Sequence, residues 1–204
     1  MPEKELKVNL PELQKHGLLM SFTSDVFLPQ SRKLTIDAAF TAVEHNVPVM
    51  FLTKIAINPD DFIGADTRFV SFGFTLAGRD DMEPGASTNA ECIEAMRKLH
   101  EAGFRTWASI EPIIDFQSSF DMIRQTALFC NHYKIGLLKG KKYDKHDIRV
   151  FVERCLKYSH LRNLKLYFKD SLLKAAGIER SALPDKCVDR NFKLFINNHG
   201  KSCR

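Results

Sequence analysis

Residues 47–54 read Val-Pro-Val-Met-Phe-Leu-Thr-Lys, an apolar run that ends abruptly in a hydroxyl and an ammonium group. A strand with one wet face would alternate polar and apolar side chains. Val47 to Leu52 instead stays apolar at successive positions, as does a strand covered on both faces. Similar short runs recur at Leu18–Phe22, Phe69–Leu76, Thr106–Ile110, Tyr133–Leu138 and Leu164–Phe168. Together they predict a parallel sheet covered by helices.

The segments between these runs carry helix punctuation. Thr35 precedes Ile36–His45, with Asn46 as a stop, and Thr88-Asn89-Ala90-Glu91 forms a capping box before a helix that ends at Gly103. Ser118 and Asp144 open two further helices, and Asp170 is predicted to cap a last short one that Gly177 stops. Strand and helix thus alternate along the chain. Two architectures follow, an open doubly wound sheet or part of a (β/α) barrel, and periodicity alone does not separate them. Neither a G-x-G-x-x-G turn, a phosphate-binding P-loop, a G-x-S-x-G elbow nor an H-E-x-x-H pair is present.

Composition narrows the class. The chain has 204 residues, 44% of them hydrophobic, enough for one sizeable core and too few for several domains. Sixteen Phe against four Tyr and one Trp place the aromatic payload in the interior, since Phe has no polar tip. The formal net charge of +5 is compatible with phosphate, carboxylate or nucleic-acid ligands without choosing among them. Cys92, Cys130, Cys155, Cys187 and Cys203 are irregularly spaced, form no Cys-x-x-Cys pair, and read as reduced thiols. The seven histidines are scattered and predict no metal site. No apolar run approaches the roughly 20 residues of a membrane helix, and no signal-peptide pattern opens the chain, so the expectation is a soluble cytoplasmic protein.

Function in either architecture gathers where the strands end. The runs lead into Ser21-Phe22-Thr23-Ser24-Asp25, Thr53-Lys54, Ser71 and Thr75, Ser109-Ile110-Glu111-Pro112, and Lys169-Asp170. If the strands are parallel, these groups converge on one rim suited to a small zwitterionic ligand. Lys54 and Glu111 are the sharpest candidates, because a charge directly after an apolar strand is usually kept with a partner or ligand. Asp25 also suits an Asx turn, Asp170 a helix cap, and the basic stretch Lys139-Gly140-Lys141-Lys142 a solvated loop.

Taken in order, these segments form a recognisable set: Ser21–Asp25 followed by Leu28-Pro29, Val47–Lys54, Glu83-Pro84-Gly85-Ala86-Ser87 opening a helix that ends in Leu99–Gly103, and Ser109-Ile110-Glu111-Pro112. Over residues 17 to 175 the chain resembles the later part of a radical SAM barrel, in particular the spore photoproduct lyase-like branch and phage-type radical SAM proteins with Ser-Ile-Glu-Pro. The resemblance implies a partial TIM-like (β/α) barrel with mainly parallel strands, its first strand missing or replaced. It implies a 1–16 extension, a 17–177 barrel and a 178–204 tail.

Members of that superfamily bind a [4Fe-4S] cluster through three cysteines of a C-x-x-x-C-x-x-C loop. S-adenosylmethionine occupies the fourth iron position, and its reductive cleavage starts the radical chemistry. By resemblance Lys54 matches a lysine that meets the methionine carboxylate, and Ser71 a polar residue near the ribose. Asp25 and Glu111 stand at matching strand ends without an assigned role. Residues 1–16 contain no cysteine, so the expectation is a truncated chain without the iron–sulfur ligands, inactive by itself.

An absent first strand would leave Leu18–Phe22 as an open edge. Three covers are expected for it: a substitute strand at Glu5–Leu10, a cluster-bearing partner chain, or a second copy. Two alternatives to the radical SAM reading remain. One is a non-catalytic barrel-derived binding protein contacting a partner or nucleic acid; the other is a hydrolase pairing Asp25 with Glu111 as acid and base.

Overall fold

The computed structural model describes residues 8–20, 24–190, 192, 194 and 195. Six strands form one sheet: β1 (Leu18–Met20), β2 (Val49–Thr53), β3 (Val70–Thr75), β4 (Arg105–Ile113), β5 (His132–Leu137) and β6 (Leu166–Phe168). Every neighbouring pair is parallel, and the spatial order is the sequence order. That order separates the two architectures. A doubly wound sheet reverses direction at a switch point, whereas here each strand lies beside its predecessor, so right-handed crossovers return every helix to one face. The result is a partial (β/α) barrel whose sheet does not close.

Among the described residues six α-helices accompany the sheet, α1 (Leu10–His16) ahead of β1 and, on that outer face, α2 (Arg32–Glu44), α3 (Asn89–Glu101), α4 (Phe116–Thr126), α5 (Lys145–Arg162) and α6 (Asp170–Ala176). Their packing explains the apolar runs. Phe51 and Phe72 of adjacent strands stack at 5.4 Å, and Phe62 and Phe104 meet Phe72 edge-on at 4.7 and 5.2 Å. Tyr133 sends its hydroxyl to Thr126 of α4 at 2.9 Å. Alternate residues therefore bury against the helices, while Ser71, Gly73, Trp107, Lys134 and Glu111 face the inside of the partial barrel.

The helix signals are met with three shifts, the first at α2, which opens at Arg32 so that Thr35 lies inside it and donates its hydroxyl to Val26 C=O at 2.8 Å. The Thr88 capping box is complete: Glu91 N–H donates to the Thr88 hydroxyl and the Glu91 carboxylate accepts from Thr88 N–H. Asp144 caps α5, accepting from His146 and Asp147 N–H. Asp115, not Ser118, opens α4, because its carboxylate accepts from Ser118 N–H at 2.7 Å. Asp170 is the first residue of α6 and not its cap; its carboxylate pairs with Arg180. Asn46, with φ of 56°, stands where α2 was expected to stop, and Gly177, with φ of 64°, ends α6 in the left-handed region that a Cβ disfavours.

At the first edge, the Glu5–Leu10 segment does not supply a strand in its described part: Leu10 opens α1, and residues 5–7 lie outside the described residues. Ser21-Phe22-Thr23 also lie outside them. At the other edge, Cys187 bridges in parallel to Leu166, and Val188 N–H donates to Leu166 C=O. Further along, the described Phe192 and Leu194 lie by the amino ends of β5 and β4. Phe192 packs on His132 at 5.0 Å, and Leu194, 4% exposed, accepts a hydrogen bond from Arg105. No described helix is long and apolar enough to cross a membrane.

Candidate functional site

Asp25 is turned inward to organise the end of β2. Its carboxylate accepts from the Thr53 hydroxyl at 2.8 Å, from Lys54 N–H at 2.7 Å and from Phe27 N–H at 3.0 Å. The Phe27 contact is the Asx turn anticipated for this residue. Lys54 thus leaves β2 with its backbone fixed. Its C=O accepts from Ser87 N–H, and the Ser87 hydroxyl accepts from Ala56 N–H, both at 2.9 Å, which straps the Glu83–Ser87 loop to the strand end. From that loop Glu83 pairs with the Lys54 ammonium.

Glu111 lies two strands away, where the β4–β5 register breaks between Ile110 and Ile113 and the Glu111–Pro112 peptide is cis. Its carboxylate reaches past β5 to the ammonium of Lys169, which directly follows β6. Gly136 permits the crossing: a Cβ there would stand 2.8 Å from Glu111 Oε1 and 3.0 Å from Lys169 Cδ. Glu111 and Asp25 bond to different partners, and nothing joins them as an acid/base pair.

Ser71 stands apart from this rim. It is the second residue of β3, in register with Met50 and Arg105, fully buried, with its hydroxyl unpartnered. Thr75, not Ser71, occupies the carboxyl end of that strand. The parallel registers Thr75↔Ser109, Ser109↔Lys134 and Lys134↔Tyr167 set these four side chains in one inner layer. One strand pleat below lies the layer of Gly73, Trp107 and His132.

Lys134 and Trp107 were not among the expected site residues. The ammonium of Lys134 stands 4.4 Å from the centre of the Trp107 ring. Burial holds it below the usual lysine range, and the Lys169 charge acts in the same direction. The signal available in the sequence was a lone charge inside Tyr133–Leu138, a run otherwise apolar.

The described thiols do not suit an iron–sulfur cluster, and Cys203 lies outside the described residues. Cys92, Cys130 and Cys155 are buried, and burial pushes all three thiols well above their ordinary range; Cys187, half-buried, is pushed up to about 11. Among the described residues no three His, Cys, Asp or Glu side chains form a metal-binding group. In the basic stretch, Lys141 donates to Ile114 C=O at 2.6 Å and packs on Tyr143, as a surface loop does.

No family model matches this sequence. The uncharacterized protein MJ0683 of Methanocaldococcus jannaschii is 28% identical in an alignment of 157 positions that covers 69% of this chain and 60% of that protein. In fold, the chain is similar to SuiB of Streptococcus suis bound to S-adenosylmethionine, with a TM-score of 0.60 and 14% identity over 86% of this chain and 44% of SuiB. SuiB bound to its precursor peptide SuiA gives a TM-score of 0.62 and 12% identity over 91% and 47% of the two chains. The chain spans less than two thirds of the length of each of these proteins, and what it shares with SuiB, a radical SAM enzyme, is the fold.

Proposed function

We propose that this chain forms the larger part of a radical SAM-type barrel whose carboxyl rim binds S-adenosylmethionine. The observation that carries this reading is that Lys54 and Glu111 rise from the carboxyl ends of strands running in parallel within one sheet. Likeness of fold to an S-adenosylmethionine-bound structure supports the same ligand class.

The donor set suits the amino-acid end of that ligand. Lys54 offers an ammonium to its carboxylate, and Glu111 offers a carboxylate to its amino group. Glu83 and Lys169 are their present partners, so both charges are held in place and compensated, and a zwitterion exchanges one ion pair for another. Asp25 acts on Lys54 through the backbone and is a positioning residue. Ser71, at the opposite end of its strand, is left out of the contact set.

The described cysteines do not fit a [4Fe-4S] cluster, so no step of iron–sulfur chemistry is assigned to these residues. Radical chemistry then requires cluster ligands from a further segment or a partner chain. The edge at β1 is the place for either, since among the described residues no strand lies on its outer side.

Calorimetry of the chain with S-adenosylmethionine tests the reading. Saturable binding that weakens about tenfold or more in Lys54→Ala is expected from the loss of one charge-assisted contact. A folded chain that takes up no S-adenosylmethionine overturns the reading, and unchanged affinity in the variant rejects the role of Lys54.

A further inference from the structure

Within the inner face, the layer Thr75–Ser109–Lys134–Tyr167 is made of hydrogen-bond donors: two hydroxyls, an ammonium and a phenol. It contains no carboxylate. Lys134 has no ion-pair partner among the described residues, and the nearby carboxylate of Glu111 is already engaged by Lys169. An ammonium in a half-buried position without a counter-charge leaves its electrostatic demand unmet. Trp107 satisfies part of that demand from below through its ring face, while its own buried Nε1 has no acceptor. The side of Lys134 away from the ring is the side toward the rim.

We propose that the inner face seats an oxyanion group of the substrate, phosphoryl or carboxylate, on Lys134, with the Thr75 and Ser109 hydroxyls beside it. This deepens the reading of the inner face as the working face of the barrel. An anion there supplies the missing counter-charge, and the hydroxyls of the same layer suit its remaining oxygens. The excess positive charge of the chain, +5, favours the approach of such a ligand.

The protein carries its own probe. Trp107 is the only tryptophan, and at 1% exposure it is shielded from direct quenching by solutes, so a change in its emission reports on what stands over it. Inorganic phosphate, titrated against chloride at constant ionic strength, is expected to change that emission saturably. Lys134→Gln should abolish the response, and Lys134→Arg, which keeps the charge, should retain it. No saturable change, or an undiminished response in Lys134→Gln, overturns the proposal.

A second measurement needs no variant. Phosphate should slow reductive methylation of Lys134 several-fold while leaving the exposed Lys33 unaffected, and equal slowing of both rejects the seat. Succinate in place of phosphate separates the two oxyanion sources. Calorimetry with S-adenosylmethionine on the same variants keeps the readings apart. A phosphate response without S-adenosylmethionine uptake leaves the anion seat standing and removes the cofactor reading; the converse removes the seat alone.

Discussion

The indole of Trp107 lies against Gly73 so closely that a Cβ at position 73 would fall 2.1 Å from Cε2 and 2.4 Å from Cζ2. Backbone and ring meet here with nothing between them. Gly73→Ala is therefore expected to destabilise the fold by about 1–3 kcal/mol, the usual cost of overpacking, and to shift the Trp107 emission. Thermal unfolding with tryptophan emission checks both. A variant as stable as the parent, with an unshifted spectrum, would show that the ring is free to move.

With one carboxylate Asp25 holds two donors of the β2 end, the Thr53 hydroxyl and Lys54 N–H, and the Phe27 N–H of its own turn. Asp25→Ala should cost about 2–4 kcal/mol, because the Thr53 hydroxyl and the N–H of Lys54 lose a charged acceptor together. Asp25→Asn should cost less. Urea titrations of the variants measure this, and a loss confined to ligand affinity, with stability intact, would reassign Asp25 from positioning to contact.

His132 predicts a pH dependence. Burial first, and then the charge of Lys134, lower its pKa to about 4, against about 6.5 in an unfolded chain. The unfolded state then binds the proton more readily, so the contribution of His132 to stability is complete above about pH 6.5 and is lost as pH falls toward 4, at up to about 1.4 kcal/mol per unit. His132→Gln should flatten the stability profile between pH 4 and 6.5 relative to the parent. Chemical denaturation across that window is the measurement, and parallel profiles would exclude the effect.

The described thiols should behave as buried groups. Under native conditions Cys92, Cys130 and Cys155 are expected to react with a disulfide reagent only on unfolding, and Cys187 earlier than these. Anaerobic reconstitution of this chain with iron and sulfide should yield no stoichiometric [4Fe-4S] absorption. Rapid native labelling of Cys155, or a full cluster, would show that the fold opens to expose these side chains.

The strands were legible because apolar side chains occupy both faces of a run, as in Val47–Leu52, although in β2 only Val49, Phe51 and Thr53 are buried while Met50 and Leu52, on the inner face, stay half-buried. The helix starts were legible to within a turn: Thr88 and Asp144 stand where their side chains cap, but Asp115 precedes the expected Ser118 because any of several nearby acceptors can close a first turn. Strand order was not legible in periodicity, since sequential and switched windings use the same runs; the resemblance to a (β/α) barrel implied the sequential order that the sheet shows. The pairings Lys54–Glu83 and Glu111–Lys169 were hidden for the same reason, as they depend on which strands become neighbours. Ser71 shows the limit of reading by position alone. It sits in a strand that carries polar groups at both ends, and only the register tells which of them, Ser71 or Thr75, is at the rim.

Cys187 bridges to β6, Phe192 covers His132 at the start of β5, and the C=O of Leu194 accepts from Arg105 at the start of β4. At these points the amino ends of the strands are covered. A solute bound over Trp107 is therefore walled off from below at Phe192 and Leu194 and meets solvent from the carboxyl rim and the unclosed edges of the sheet.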